Sequence, residues 1–137
     1  MDLNEQEIDI PAQEFESIIT MPSSEFQKIC RDMSNLSDSL EIKSIGSQLI
    51  FSCKGEFANQ KTVIGQTPSG VNFKKNNDDT SIIQGYYNLK HLVLFTKCTN
   101  LCSSIEMYMK NNYPIVIIYS VGNLGKLKLA LAPKIMH

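Results

Sequence analysis

The sequence has no apolar run close to the roughly 20 residues that a membrane-crossing helix needs, so no membrane partner is expected. It has no CxxC pair: Cys30, Cys53, Cys98 and Cys102 are scattered, and His91 and His137 are not spaced to complete a metal site with them. No metal and no cofactor is therefore expected. The start carries acids where a secretory signal has a basic flank and an apolar core. Without such a signal the cysteines read as buried free thiols rather than disulfides. Also missing are HExxH, GxSxG, GxxxxGK[ST] and GxGxxG, so no catalytic residue is named and no enzyme is expected. His91 reads as a surface or half-buried helix residue, and Asp78-Asp79 as a solvated turn.

What remains is an ordinary globular composition, 42% hydrophobic and 20% charged over 137 residues, the size of one domain. The net charge of −1 conceals an asymmetry. Asp2, Glu5, Glu7, Asp9, Glu14 and Glu16 stand in the first sixteen residues with no base among them. All 13 bases follow, against 8 acids, a net of +5. One reading is a solvated acidic tail on a mildly basic domain; the other is a domain with a surface facing a polyanion.

Periodicity supplies the architecture. The stretch 14–22 (EFESIITMP) has strand chemistry and ends at Pro22. Over 23–37, Phe26, Ile29, Cys30, Met33 and Leu36 form one apolar helix stripe, with Ser23 or Ser24 as N-cap. Strands follow at 39–45, 47–55 and 60–67, the first two joined by a tight turn at Gly46-Ser47. After a polar loop at 68–79 the order returns: a strand at 80–87, a short helix at 88–98 capped by Asn88, and strands at 103–109, 113–121 and 125–132. The chain thus reads strand–helix–three strands, twice, a repeat of element order rather than of residues. The fold class is α+β: antiparallel sheets with both helices on one face.

Opposite the apolar stripes each helix carries a basic pair, diluted on the first by Glu25 and Asp32 and by no acid on the second. Lys28 and Arg31 are neighbours on the first, and Lys90 and Lys97 share a side of the second. Solubility explains such pairs; so does contact with phosphates. With no Arg or Asn cluster to read base edges, any nucleic-acid contact is to the backbone and salt-sensitive.

Several stretches in order, MPSSEFQKICRDMS, FTKCT and LALAPKI, resemble the second domain of proliferating cell nuclear antigen, the eukaryotic sliding clamp. The similarity runs over essentially the whole chain, and colinearity with the doubled pattern makes it specific. Residues 1–16 then resemble the interdomain connector of that family and residues 17–137 its C-terminal domain, with the first domain expected outside this chain. The resemblance implies a DNA-processivity role: a segment of a ring around duplex DNA, helices lining the hole, that docks replication and repair enzymes. Lys28, Arg31, Lys90 and Lys97 match the inward-facing basic positions. The implied partners are duplex DNA, other clamp domains in a homo- or hetero-ring, and DNA polymerase, ligase, nuclease and clamp loader through short docking peptides. The implied place of work is the nucleus, or a cytoplasmic replication site for a viral protein.

For those peptides the resemblance implies a pocket of Ile8 and Ile10 from the connector, Tyr113-Pro114 as a wall, and the tail Ala130, Leu131, Ala132 and Pro133. A tail backbone left free past Pro133 offers a further pairing edge. The subunit interface matches at 56–66, with Lys61, Thr62, Val63 and Ile64 in an edge strand that needs a partner. Four departures stand out, one of them the loop with Lys74 and Lys75, basic where the family tends to be acidic. Ile8-Asp9-Ile10 puts a charge where the family typically has leucine, glycine and isoleucine; Ala130 replaces an aromatic; and Gly46 replaces a modifiable lysine. The alternative function is a peptide-binding adaptor or decoy that no longer encircles DNA.

Overall fold

The two apolar helix stripes and the alternating strands close around a single core in a computed structural model, which describes residues 15–65, 70–75, 82–97, 102–120 and 125–134. The elements are β1 (Ser17–Pro22), α1 (Ser23–Ser34), β2 (Ser39–Ile45), β3 (Gln48–Lys54), β4 (Asn59–Gly65), β5 (Asn72–Lys75), β6 (Ile82–Asn88), α2 (Leu89–Phe95), β7 (Ser104–Met109), β8 (Ile115–Ser120) and β9 (Lys126–Leu131). They form a five-stranded sheet, β5-β1-β7-β8-β9, and a four-stranded sheet, β4-β3-β2-β6, antiparallel throughout.

This order shows how the repeat folds. The first unit places β1 in one sheet, crosses through α1, and lays β2-β3-β4 in the other. The second places β6 beside β2, crosses back through α2, and lays β7-β8-β9 beside β1. Each sheet is therefore completed by a strand from the other unit, and neither unit is closed alone. A buried hydroxyl pair ties the sheets together, Ser17 Oγ to Ser44 Oγ at 2.9 Å.

The core takes Phe26, Ile29, Cys30 and Met33 from α1, Leu89 and Leu92 from α2, and inward residues of both sheets, among them Ile19, Met21, Leu40, Ile42, Leu49, Phe51, Met107 and Ile117. Phe26 and Phe51 meet with ring centroids 6.2 Å apart. The strand β8 is buried on both faces. Ile115, Ile117 and Tyr119 enter the main core, while Val116 and Ile118 join a second cluster with Phe15 and Ile18 on the opposite face. That is why IVIIY reads as a continuous apolar run instead of alternating. The edge strands β4 and β9 alternate exposed and half-buried residues along their length.

Three expectations need correction. The stretch 68–79 is not all loop: Asn72–Lys75 is a strand, β5, paired antiparallel with β1. Among the described residues of that stretch only Val71 and Phe73 enter the core, too few apolar residues among lysines and asparagines to show a period. Neither Ser23 nor Ser24 caps α1. Pro22 occupies the N-cap position, and Ser23 Oγ instead donates to the Cys102 carbonyl at 2.7 Å, tying α1 to the second unit. Cys30 and Cys53 are buried thiols as expected, but Cys102 is half-buried, and Cys98 lies outside the described residues. The Asn88 cap of α2 holds, its Oδ1 accepting from the Lys90 amide at 2.9 Å, and Gly46 takes the positive φ of 55° that its tight turn requires.

Truncation of the phenyl group that joins α1 to β3, Phe26→Ala, is expected to cost about 3–5 kcal/mol by the cavity it leaves, measured by urea denaturation. Burial pushes the Cys30 thiol up to about 12 from 9.0, and the Tyr87 hydroxyl up to about 12 from 10.0. Both groups are neutral when protonated, and the folded state holds the proton more tightly than the unfolded chain. Stability from them is thus full below about pH 9 and is lost as pH rises toward about 12. Denaturation midpoints should be level near neutral pH and fall through this window. Cys30→Ala should make that fall shallower without abolishing its early part, because burial raises the Cys53 thiol from 9.0 as well.

Candidate functional site

Three surfaces carry the residues singled out by the sequence. The first is the outer face of the helix pair. Burial of Phe26, Ile29, Cys30 and Met33 turns Lys28 and Arg31 of α1 out to solvent. Burial of Leu89 and Leu92 does the same for Lys90 of α2, and Lys97 is exposed in the tight turn that follows. The helices pack on each other. Gln27 Nε2 donates to the Thr96 carbonyl at 3.2 Å, and since Lys28 and Lys97 follow those residues in the chain, the bond brings the two basic pairs into one neighbourhood. The ion pairs among the described residues are Lys43–Glu41 and Lys74–Glu106, so none of these four cations is neutralised by a carboxylate there.

Leu94 stands at 55% exposure on α2, one turn from Lys90, an exposure that the apolar pattern of this stretch does not announce. Its flanks Val93 and Phe95 are only half-buried, because this short helix packs two stripe residues fully rather than a complete face.

The second surface is the end of the five-stranded sheet where β8 begins and β9 finishes. The pairings Ile115↔Leu131 and Val116↔Ala130 bring Tyr113-Pro114 and Ala130 through Pro133 to that same end. Tyr113, 41% exposed, lies edge-on to Phe15 with ring centroids 5.8 Å apart, and the Lys110 ammonium stands 5.4 Å from its ring centre. Phe15 also packs edge-on to Tyr108 at 5.5 Å. This aromatic cluster went unrecognised in the sequence because its members are dispersed at 15, 108 and 113. Ile8 and Ile10, the connector's share of the pocket, lie outside the described residues.

The tail differs from expectation. Its backbone is engaged at Lys134, whose amide donates to the Tyr86 carbonyl at 2.6 Å while Nζ donates to Ser39 Oγ at 2.6 Å. The tail thereby lies along the open edge of β6. Farther along that edge, Asn111 acts as a substitute strand: its Oδ1 accepts from the Gln84 amide and its Nδ2 donates to the Ile82 carbonyl, each at 2.9 Å. A recess of about 500 Å³ separates Asn111 from Pro133 and Lys134, and of the expected docking residues only Pro133 lines it. Tyr86 beside it has its hydroxyl pKa raised by a hydrogen bond to the Glu41 carboxylate.

The edge strand β4 carries Lys61, Thr62, Val63 and Ile64 as expected, with β3 on one side and no strand on the other among the described residues. Ile64 packs toward the core, while Val63 faces outward at 50% exposure. Among the described residues no group of three His, Cys, Asp or Glu side chains is placed to hold a metal ion.

Comparison with known proteins gives these surfaces a context. The family model for the C-terminal domain of proliferating cell nuclear antigen matches residues 9–134. The chain is 37% identical over 137 residues to the "Probable DNA polymerase sliding clamp 1" of Paramecium bursaria Chlorella virus 1, covering 97% of this chain and 51% of that protein. It is 39% identical over 133 residues to the "Probable DNA polymerase sliding clamp" of Acanthamoeba polyphaga mimivirus, covering 97% of this chain and 28% of that one. The chain therefore spans about half the length of the first of these relatives and less of the second.

Replacement of the amide that caps the β6 edge, Asn111→Ala, is expected to cost about 1 kcal/mol. It should also speed hydrogen exchange at the Gln84 amide more than at the amides of β2, as read by exchange NMR.

Proposed function

Because the chain belongs to the family of proliferating cell nuclear antigen C-terminal domains, we propose that it is a DNA-processivity domain. In this reading it is a non-enzymatic ring segment that slides on duplex DNA and docks the enzymes that work there. The observation that carries it is the exposed basic face of α1 and α2, with Lys28, Arg31, Lys90 and Lys97 free of carboxylate partners among the described residues. Four separated cations on solvated helices make a contact that is electrostatic, sequence-blind and readily exchanged. A sliding ring needs that combination, since it holds by closure and strong site-specific contacts would pin it.

Residues 1–16 are the connector and residues 17–137 the clamp domain. Peptides from DNA polymerase, ligase, nuclease and clamp loader dock at the end of the sheet where Tyr113, Pro114, Ala130, Leu131, Ala132 and Pro133 gather, with Ile8 and Ile10 lidding the groove. The strand β4 is the subunit interface through Lys61 to Ile64. Its open backbone supports this, because an exposed edge is a template for a further strand. The chain works in the nucleus, or at a cytoplasmic replication site if viral, a reading that its similarity to viral proteins supports.

Charge reversal at Lys90 and Lys97 tests the reading. The double variant Lys90→Glu, Lys97→Glu should keep the circular dichroism and melting of the parent while losing most of its weak affinity for a short non-specific duplex in low salt. The slope of log affinity against log salt should shrink by about 0.9 for each phosphate contact removed. Unchanged affinity and slope would remove the DNA face and favour an adaptor that binds peptides alone.

A further inference from the structure

The short helix α2 divides its apolar residues between two faces. Leu89 and Leu92 are buried, and the buried Thr96 one turn on continues their stripe at the spacing i, i+3, i+7. Phe95 packs edge-on to Tyr119 with ring centroids 4.7 Å apart. Leu94 belongs to neither contact. It stands 55% exposed, where a polar residue would leave the core complete.

A single exposed apolar side chain is unremarkable on most of a protein surface. The setting of this one is not. Helical spacing puts Leu94 one turn from Lys90 and beside His91, and Lys97 follows three residues later in the tight turn that continues the helix, all of them exposed. The leucine therefore sits between the two lysines. The Gln27–Thr96 hydrogen bond holds α1 alongside, with its exposed Lys28 and Arg31. The counter-charges on the two helices are Glu25 and Asp32 of α1, and α2 has none.

Charge complementarity identifies the occupant of such a face. An apolar protein surface brought here would strip water from the cations and return nothing, whereas a polyanion pairs with them. A polyanion with charge alone would in turn gain nothing from Leu94. A DNA strand offers more, because the C–H faces of a sugar lie between successive phosphates and repeat at every nucleotide.

We propose that Leu94 packs on the deoxyribose edge between the phosphates that Lys90 and Lys97 contact. The leucine then adds an apolar part to the electrostatic hold, one that does not depend on counterion release or on base sequence. Since every step of the strand presents the same sugar face, the contact moves with a sliding ring and does not pin it. The proposal rests on the reading of the helix face as the DNA surface, and it names what that face recognises besides phosphate.

Fluorescence anisotropy with a short labelled duplex, over a range of salt, would compare the wild-type chain with Leu94→Ala and Leu94→Met. Alanine is a strong helix former and the site is outside the core, so circular dichroism and melting should match the parent. Leu94→Ala should weaken duplex binding about fivefold at every salt concentration and leave the slope of log affinity against log salt as it was. Leu94→Met should stay within about twofold of wild type. Inorganic polyphosphate, a polyanion without sugars, should bind wild type and Leu94→Ala alike, while Lys90→Glu, Lys97→Glu should weaken the binding of both ligands. Unchanged duplex affinity in Leu94→Ala would overturn the contact. So would an equal loss for polyphosphate, which would make the leucine a support for the lysines. A loss seen with thymine-containing duplexes and not with a duplex of G·C pairs alone would replace the sugar contact by base reading and overturn it too. If the lysine reversals also leave duplex binding unchanged, the DNA face itself falls; if they weaken it while Leu94→Ala does not, only the leucine contact does.

Discussion

Everything else in this structure depends on the exchange of strands between two units that share one core. The first unit gives β1 to the sheet built by the second, and the second gives β6 to the sheet built by the first. Each crossing needs a helix, and both helices must bury their apolar stripes in the space that the sheets enclose. Phe26, Ile29, Cys30 and Met33 from one and Leu89 and Leu92 from the other meet there. Removing either helix would open both sheets, which ties the stability of the domain to the same elements that display its basic residues.

That coupling decides what the surfaces can do. With most of the apolar stripes spent inside, α1 offers Lys28 and Arg31 beside the acids Glu25 and Asp32, and α2 offers Lys90 together with the exposed Leu94. The sheets end in edges instead. β5 covers the side of β1, whereas the corresponding side of β6 is closed by a side-chain amide from Asn111 and a backbone amide from Lys134. The β6 edge is thereby blunted, while β5, β9 and β4 have no strand on their outer sides among the described residues. Such edges are templates for a further strand.

The sequence made the architecture legible wherever periodicity was strong. The stripe Phe26–Met33, the alternation in SLEIKSI, the Gly46 turn and the Asn88 cap each stand where the residue chemistry puts them. β5 was hidden because two apolar residues in a lysine- and asparagine-rich stretch set no period. The α1 cap was misread because Ser23 finds a better partner in the distant Cys102 carbonyl, a tertiary contact that no local rule contains. The basic site residues were legible because exposure follows directly from the stripe behind them. The aromatic group of Phe15, Tyr108 and Tyr113 and the Asn111 cap were not, since each joins residues far apart in the chain.

The central claim is that DNA meets the helix face and no other. The direct measurement is an NMR titration of the isotopically labelled chain with a short duplex of arbitrary sequence at low salt. The account predicts amide shifts confined to α1 and α2, strongest around Lys28, Arg31, Lys90 and Lys97, and fading as salt is added. Shifts centred on Lys126 and Lys128 of β9, which are also exposed but lie at the edge of the five-stranded sheet, would contradict it.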